Sequence, residues 1–173
     1  MKLTIKTFKK VDSTQKVAKK LKKPLPWTVI LAEEQTSGYG RKRNFWYSPR
    51  GGLYFSIVLP SLKIESTETL TILSAFSVAK ILKEDFNLES FIKYPNDVYV
   101  GGKKICGIIT ENRLSGNRVL FSVMGIGLNT NLDRFPKNLE NKATSLKIET
   151  GKEVENKKLM KKIIRQLKKQ IDF

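Results

Sequence analysis

The residues best equipped for chemistry sit close together between Gln35 and Ser56. This stretch holds Gly38 and Gly40, which open backbone conformations denied to other residues, and the fixed cations Arg41, Lys42, Arg43 and Arg50. A loop that carries so many cations suits an anionic ligand. On charge alone, a solvated basic turn is the simpler account.

A second polar set falls at the ends of segments read below as strands: Gln35, Arg41, Lys93, Asn96, Asp97, Asn129 and Asn131. Lys93 is the sharpest of these. With Phe91-Ile92 before it and Tyr94-Pro95 after it, its ammonium is expected beside apolar surface, where a lone charge is costly unless an anion joins it. A carboxylate or phosphate would supply that anion, in a contact worth about 1.5–3 kcal/mol. A purely structural pairing of Lys93 with Asp97 or Glu111 is the plain alternative.

Other chemistries are excluded. The chain has no histidine, so there is no Ser-His-Asp or Cys-His pair and no histidine-ligated metal. The single cysteine, Cys106, lies between Ile105 and Gly107 and reads as a small buried apolar residue. No Gly-x-x-x-x-Gly-Lys-Ser/Thr loop is present.

The elements that must position these groups follow from periodicity. Leu3, Ile5 and Phe8 suggest an edge strand, and Asp12 or Ser13 caps a lysine-rich helix that ends before Pro24. Trp27–Ala32 and Gly52–Leu59 are apolar strands flanking the cationic loop, the second stopped by Pro60. An amphipathic helix is expected over 68–84, with Leu70, Ile72, Leu73, Phe76, Val78, Ala79 and Leu82 facing a sheet. Hairpins at Gly101-Gly102 and at Ser115-Gly116-Asn117 link strands over 98–100, 103–111 and 118–127. A last helix spans 154–171, its apolar seam ending at Ile171. Together these predict an α+β domain with a mixed, largely antiparallel sheet and helices packed on one side.

At 173 residues the chain is expected to be one domain, and with one cysteine and no membrane-length apolar run it reads as cytoplasmic. The net charge of +17 raises nucleic acid as a partner. Its distribution over helix faces, without interleaved aromatics, reads first as a solvated surface.

Several ordered motifs across residues 11–146 resemble the catalytic domain of biotin protein ligases. They are Asp12-Ser13-Thr14, Gly38-Tyr39-Gly40-Arg41, Trp46-Tyr47-Ser48-Pro49, Gly52-Leu53-Tyr54-Phe55-Ser56, Lys93-Tyr94-Pro95-Asn96-Asp97, Lys104-Ile105-Cys106-Gly107-Ile108, Gly125 to Asn131, and Ala143-Thr144-Ser145-Leu146. The resemblance implies the biotin/lipoyl ligase-like fold, related to class II synthetases. It also implies ATP- and Mg²⁺-dependent conversion of biotin to biotinyl-AMP, followed by transfer to a lysine of a biotin carboxyl carrier protein. On this reading Ser13, Thr14, Gln15, Gln35, Gly38, Tyr39, Gly40, Arg41, Trp46, Lys93 and Gly107 bind biotin, with Lys93 and Arg41 catalytic. Arg41, Asn96, Gly127, Asn129 and Asn131 fall on the nucleotide side. Asp97 holds Mg²⁺ or orients Lys93, and Trp46 serves either ligand or the core.

The chain departs from the motif at Tyr39, where the family has arginine, at Arg43, where it has glycine, and at Asn44. Neither a winged-helix DNA-binding domain nor a small C-terminal β-barrel is expected within residues 1–173. No DNA or membrane partner is therefore expected, and a homodimer is compatible with the family. A lipoate or octanoate ligase of the same fold and a basic nucleic-acid-binding module are the competing readings.

Overall fold

A computed structural model describes residues 3–59, 66–116 and 118–171. In chain order the elements are β1 (Thr4–Val11), α1 (Thr14–Lys19), β2 (Thr28–Gln35), β3 (Leu53–Leu59), α2 (Ser66–Phe86), β4 (Ser90–Lys93), β5 (Asp97–Val100), β6 (Lys103–Ser115), β7 (Arg118–Leu128), α3 (Leu146–Thr150) and α4 (Asn156–Ile171). The seven strands form one sheet in the order β1-β2-β3-β7-β6-β5-β4. β1 and β2 run parallel, and every other neighbouring pair is antiparallel. The expected mixed, largely antiparallel α+β architecture is present.

The two faces of the sheet have different work. Leu53, Phe55, Ile57 and Leu59 of β3, with Val29 and Leu31 of β2, point to the face covered by α2 and α4. There they meet Val78, Ile81 and Leu82 of α2 and Met160, Ile163, Ile164 and Leu167 of α4 in the main core. Ile30, Val58 and Val123 point the other way, onto Ala18 of α1, with Phe8, Val17 and Leu21 around them. The two long helices thus share one side, and the short α1 lies against the other. Being buried on both faces along its length, β3 reads as a continuous apolar run.

The structure refines the local expectations. α1 ends at Lys19, before Pro24 as expected, and Leu21 beyond it packs on the second cluster. Phe76, expected on the buried seam of α2, is exposed, while Ser74 is buried and donates to Leu70 O at 2.6 Å. β6 runs to Ser115, beyond Glu111. Helix α3 is an element that periodicity does not announce. Ser145 Oγ accepts from Ile148 N at 3.1 Å at its start, and Gly151 at φ 71° closes it. Pro60 and Asn117 lie outside the described residues, as does the side chain of Ile171.

Ile57, fully buried at the centre of the main core, is expected to lose about 2–5 kcal/mol of stability on Ile57→Ala. Leu25, 70% exposed, should lose less than about 0.5 kcal/mol on Leu25→Ala. Denaturant midpoints of the two variants check this ranking.

Candidate functional site

The cationic stretch between β2 and β3 folds into a small flap. Tyr39 pairs with Phe45, Trp46 N donates to Gly38 O at 2.9 Å, and Gly40 N donates to Asn44 O at 2.8 Å. Arg41–Arg43 forms a single 3-10 turn at the tip, with Lys42 at φ 53° and Arg43 at φ 63°. That left-handed geometry is where the motif's glycine belongs, so Arg43 holds it with roughly 1 kcal/mol of strain. Its guanidinium sits 5.1 Å from the centre of the Tyr39 ring. At the base, a Cβ on Gly38 would come within 2.6 Å of Ser48 Oγ and 2.8 Å of Trp46 O, so only glycine fits. Gln35 Nε2 donates to Ser48 Oγ at 2.9 Å, and Ser48 Oγ to Trp46 O at 3.0 Å, tying the flap to β2.

Beneath the flap, on the α1 side of the sheet, lies a cavity of about 320 Å³. One wall is dense with hydroxyls and amides. Thr14 N and Oγ1 reach Gln35 Oε1 at 2.8 and 3.1 Å, and Ser56 Oγ lies 2.9 Å from Thr14 Oγ1 and 3.0 Å from Gln15 Oε1. Gln15 Nε2 donates to Val123 O at 3.0 Å. Ser13 is the N-cap residue of α1, yet its side chain makes no capping hydrogen bond and lines the cavity instead. Ile109 adds apolar surface, and the strands at Phe55, Ile108 and Ile126, whose side chains face the main core, complete the lining.

Trp46 and Lys104 form the far wall. The indole lies on the bare strip made by the cross-strand pair Gly107 and Gly127, where added Cβ atoms would approach to 3.1 and 2.4 Å. Its Nε1 is buried without a partner. Lys104 Nζ stands 5.1 Å from the centre of the Trp46 ring and 2.7 Å from Asp97 Oδ2. The strand carrying it is pinned by Lys104 N donating to Lys142 O at 2.9 Å and Thr144 N donating to Lys104 O at 3.0 Å.

Behind this wall is a second cavity, of about 210 Å³, which Trp46 and Lys104 also line. Tyr47, Tyr99, Phe45 and Phe135 make it aromatic, and Asn129 closes it. Asn129 donates to Thr144 O at 2.9 Å, while its Oδ1 is buried and unpartnered. One cavity is polar, the other aromatic, and an ammonium stands at their junction. Such an arrangement can bring an acid and an aromatic-bearing anion together around one fixed positive charge.

Of the residues expected from sequence, Ser13, Thr14, Gln15, Gln35, Tyr39, Gly40, Arg41, Trp46, Asn96, Asp97, Gly107 and Gly127 line the polar cavity. Asn129 lines the aromatic one, and Gly38 sits in the flap base. Asn131 belongs to neither lining. It exchanges two 2.9 Å hydrogen bonds with the backbone of Val154 and fixes the approach to α4. Lys93 is corrected. Its side chain is exposed on the edge strand β4, with Nζ 5.9 Å from the Tyr99 ring, and it lines neither cavity. Asp97 therefore orients Lys104, and Glu111 pairs with Lys19 at 3.2 Å.

Lys104, Ser56 and the aromatic group Tyr47, Tyr99 and Phe135 were missed as site residues. The signal for Lys104 was present in the Gly101-Gly102 turn, which sets it opposite Tyr99 and so on the same face as Asp97. Asp97 is the one carboxylate among the described residues lining the polar cavity, and both its oxygens are engaged, by Lys104 and by Asn96 Nδ2 at 2.8 Å. Among the described residues no group of three or more His, Cys, Asp or Glu side chains gathers to hold a metal.

Comparison with known proteins gives a consistent result. The sequence pattern of the biotin/lipoate A/B protein ligase family matches residues 7–129. The bifunctional ligase/repressor BirA of Bacillus subtilis is 34% identical over 160 residues, covering 89% of this chain and 49% of the relative. The biotin--[acetyl-CoA-carboxylase] ligase of Paracoccus denitrificans is 33% identical over 124 residues, covering 69% of this chain and 52% of the relative. The chain thus spans about half the length of these curated relatives. Among solved structures, a biotin protein ligase from Aquifex aeolicus in complex with biotin and ATP superimposes with a TM-score of 0.88 at 32% identity, covering 98% of this chain and 70% of that one.

The close seat of the indole on Gly127 makes a direct prediction. Gly127→Ala should push Trp46 off the sheet, shifting its fluorescence to the red in a Trp27→Phe background while leaving the unfolding midpoint nearly unchanged.

Proposed function

Given that the chain belongs to the biotin/lipoate A/B protein ligase family, we propose that it is an ATP-dependent ligase that activates biotin as biotinyl-AMP and passes it to a lysine of a biotin carboxyl carrier protein. The observation that carries this reading is the pair of cavities joined at Lys104, one polar and one aromatic. A ureido ring needs donors and acceptors together, and Ser13, Thr14, Gln15, Gln35 and Ser56 provide both on one wall. A lipoyl or octanoyl chain carries no ureido group for that wall to read. The purine fits the aromatic cavity, where the free Oδ1 of Asn129 can accept from an exocyclic amine.

With both ligands so placed, the biotin carboxylate and the α-phosphate meet at Lys104. A carboxylate oxygen attacks phosphorus and pyrophosphate leaves, while the ammonium offsets charge building on the phosphoryl oxygens. Asp97 keeps that ammonium aimed at the junction through its 2.7 Å contact. Arg41, whose Nη1 donates to Asn96 Oδ1 at 3.3 Å, brings a second cation down with the flap. The acceptor amine then attacks the acyl carbonyl, AMP departs, and the amine loses a proton. A closed flap in the meantime keeps water from the anhydride.

Mg²⁺ fits this site as a companion of the nucleotide. It prefers phosphate oxygens and water, which would hold it here, since both oxygens of Asp97 are taken by Lys104 and Asn96. It would supply charge neutralisation at the phosphates. Residues 1–173 act, on this reading, as a single catalytic domain in the cytoplasm. That setting suits a chain whose one thiol is buried and whose described helices are none of them long and apolar enough to cross a membrane.

Transfer of biotin to a carrier domain in the presence of ATP tests the proposal. Biotin should be used far better than lipoate or octanoate. Lys104→Ala should lower the rate about 10²–10³-fold, while Lys93→Ala leaves it nearly unchanged. Equal use of lipoate, or loss of transfer on Lys93→Ala alone, would refute this assignment.

A further inference from the structure

Tyr39 occupies the position at which the motif carries arginine, and in the folded chain it has a definite partner across the cavity mouth. Its Oη donates to Glu111 Oε2 at 2.8 Å. The other carboxylate oxygen, Oε1, lies 3.2 Å from Lys19 Nζ on α1. The carboxylate is thus clamped between a cation of the rigid body and the phenol of the flap. Burial first, and then the hydrogen bond to Glu111, raises the Tyr39 phenol well above its ordinary range, so it stays a donor at any physiological pH. The flap's remaining polar tie to the body near its tip, Arg41 to Asn96, is longer and solvent-exposed.

We propose that Tyr39 is a positioning residue. It latches the flap to β6 through Glu111, itself held by Lys19, and so sets how long an activated acyl group stays under the flap before its acceptor arrives. The proposal deepens the ligase reading and rests on it. An arginine at this position would make two parallel charge-assisted bonds to the carboxylate, whereas the phenol makes one. The latch is therefore weaker than an arginine's, and flap opening should follow the order Tyr39→Phe, then the native chain, then Tyr39→Arg.

Flap opening is read in the free protein by limited trypsin cleavage at the Arg41-Lys42-Arg43 tip, with the fragments ending at 41–43 quantified by mass. Tyr39→Phe, which removes one oxygen, should speed this cleavage about 10- to 100-fold. Glu111→Leu should do the same, and the double variant should add nothing further, as expected of two groups acting through one bond. Glu111→Gln, which keeps an acceptor oxygen, should restore part of the protection. With biotin, ATP and a bystander protein, Tyr39→Phe should also raise stray lysine biotinylation relative to carrier transfer. Cleavage of Tyr39→Phe at the native rate, or additive effects in the double variant, would overturn the latch even if carrier transfer proceeds. Faster cleavage without adenylate formation from any acid would leave the flap contact standing and remove the ligase reading, and with it the role in retention.

Discussion

The structure turns on one ammonium group and what holds it. Lys104 Nζ sits against the Asp97 carboxylate on one side and the face of Trp46 on the other, at the point where two cavities meet. A cation so placed is held on both sides and still borders both cavities. The pairing with Asp97 fixes its direction, and the indole face adds a weaker attraction. Much around it serves that placement. The backbone bridge from Lys104 to the Ala143 region anchors the strand, and Gly107 with Gly127 leaves room for the indole.

This site and the main core are built on opposite sides of the same sheet. Along β3, Phe55 and Ile57 feed the core while Ser56 between them turns to the α1 side and joins Thr14 and Gln15. A single strand therefore contributes both to the core and to the lining of the polar cavity. The face beneath α2 and α4 is closed and apolar. The face beneath α1 and the flap is left open enough to hold a ligand, its polar groups tied into one another so that few are stranded.

Much of this could be read from sequence, and the failures have physical causes. The strands, the two long helices and the mixed sheet follow from periodicity, and the glycine-bearing loop that stood out for its cations does line the polar cavity. Lys93 misled because its neighbours in the chain are apolar, but β4 is an edge strand, and along it the exposed positions are Phe91 and Lys93. Lys104 looked like one lysine among many until the hairpin register set it on the same face as Asp97. Gly107 and Gly127 stood out in the motifs, yet nothing local says that an indole from a distant loop will rest on them. Contacts of that kind are decided by the assembled sheet, and single-chain patterns carry little trace of them.

Helix α4 carries seven Lys or Arg residues, on the side of the sheet away from both cavities. A sheet and the layer packed on it are separated by about 10 Å, and the outward-pointing amines of α4 lie further still. Mobile ions damp a field over about 8 Å at physiological ionic strength. The positive charge carried by α4 is therefore largely screened from whatever occupies the cavities. The potential a bound anion feels is local, made by Lys104, Arg41 and the flap tip, and a whole-chain charge of +17 says more about how the protein disperses in solution than about its ligand.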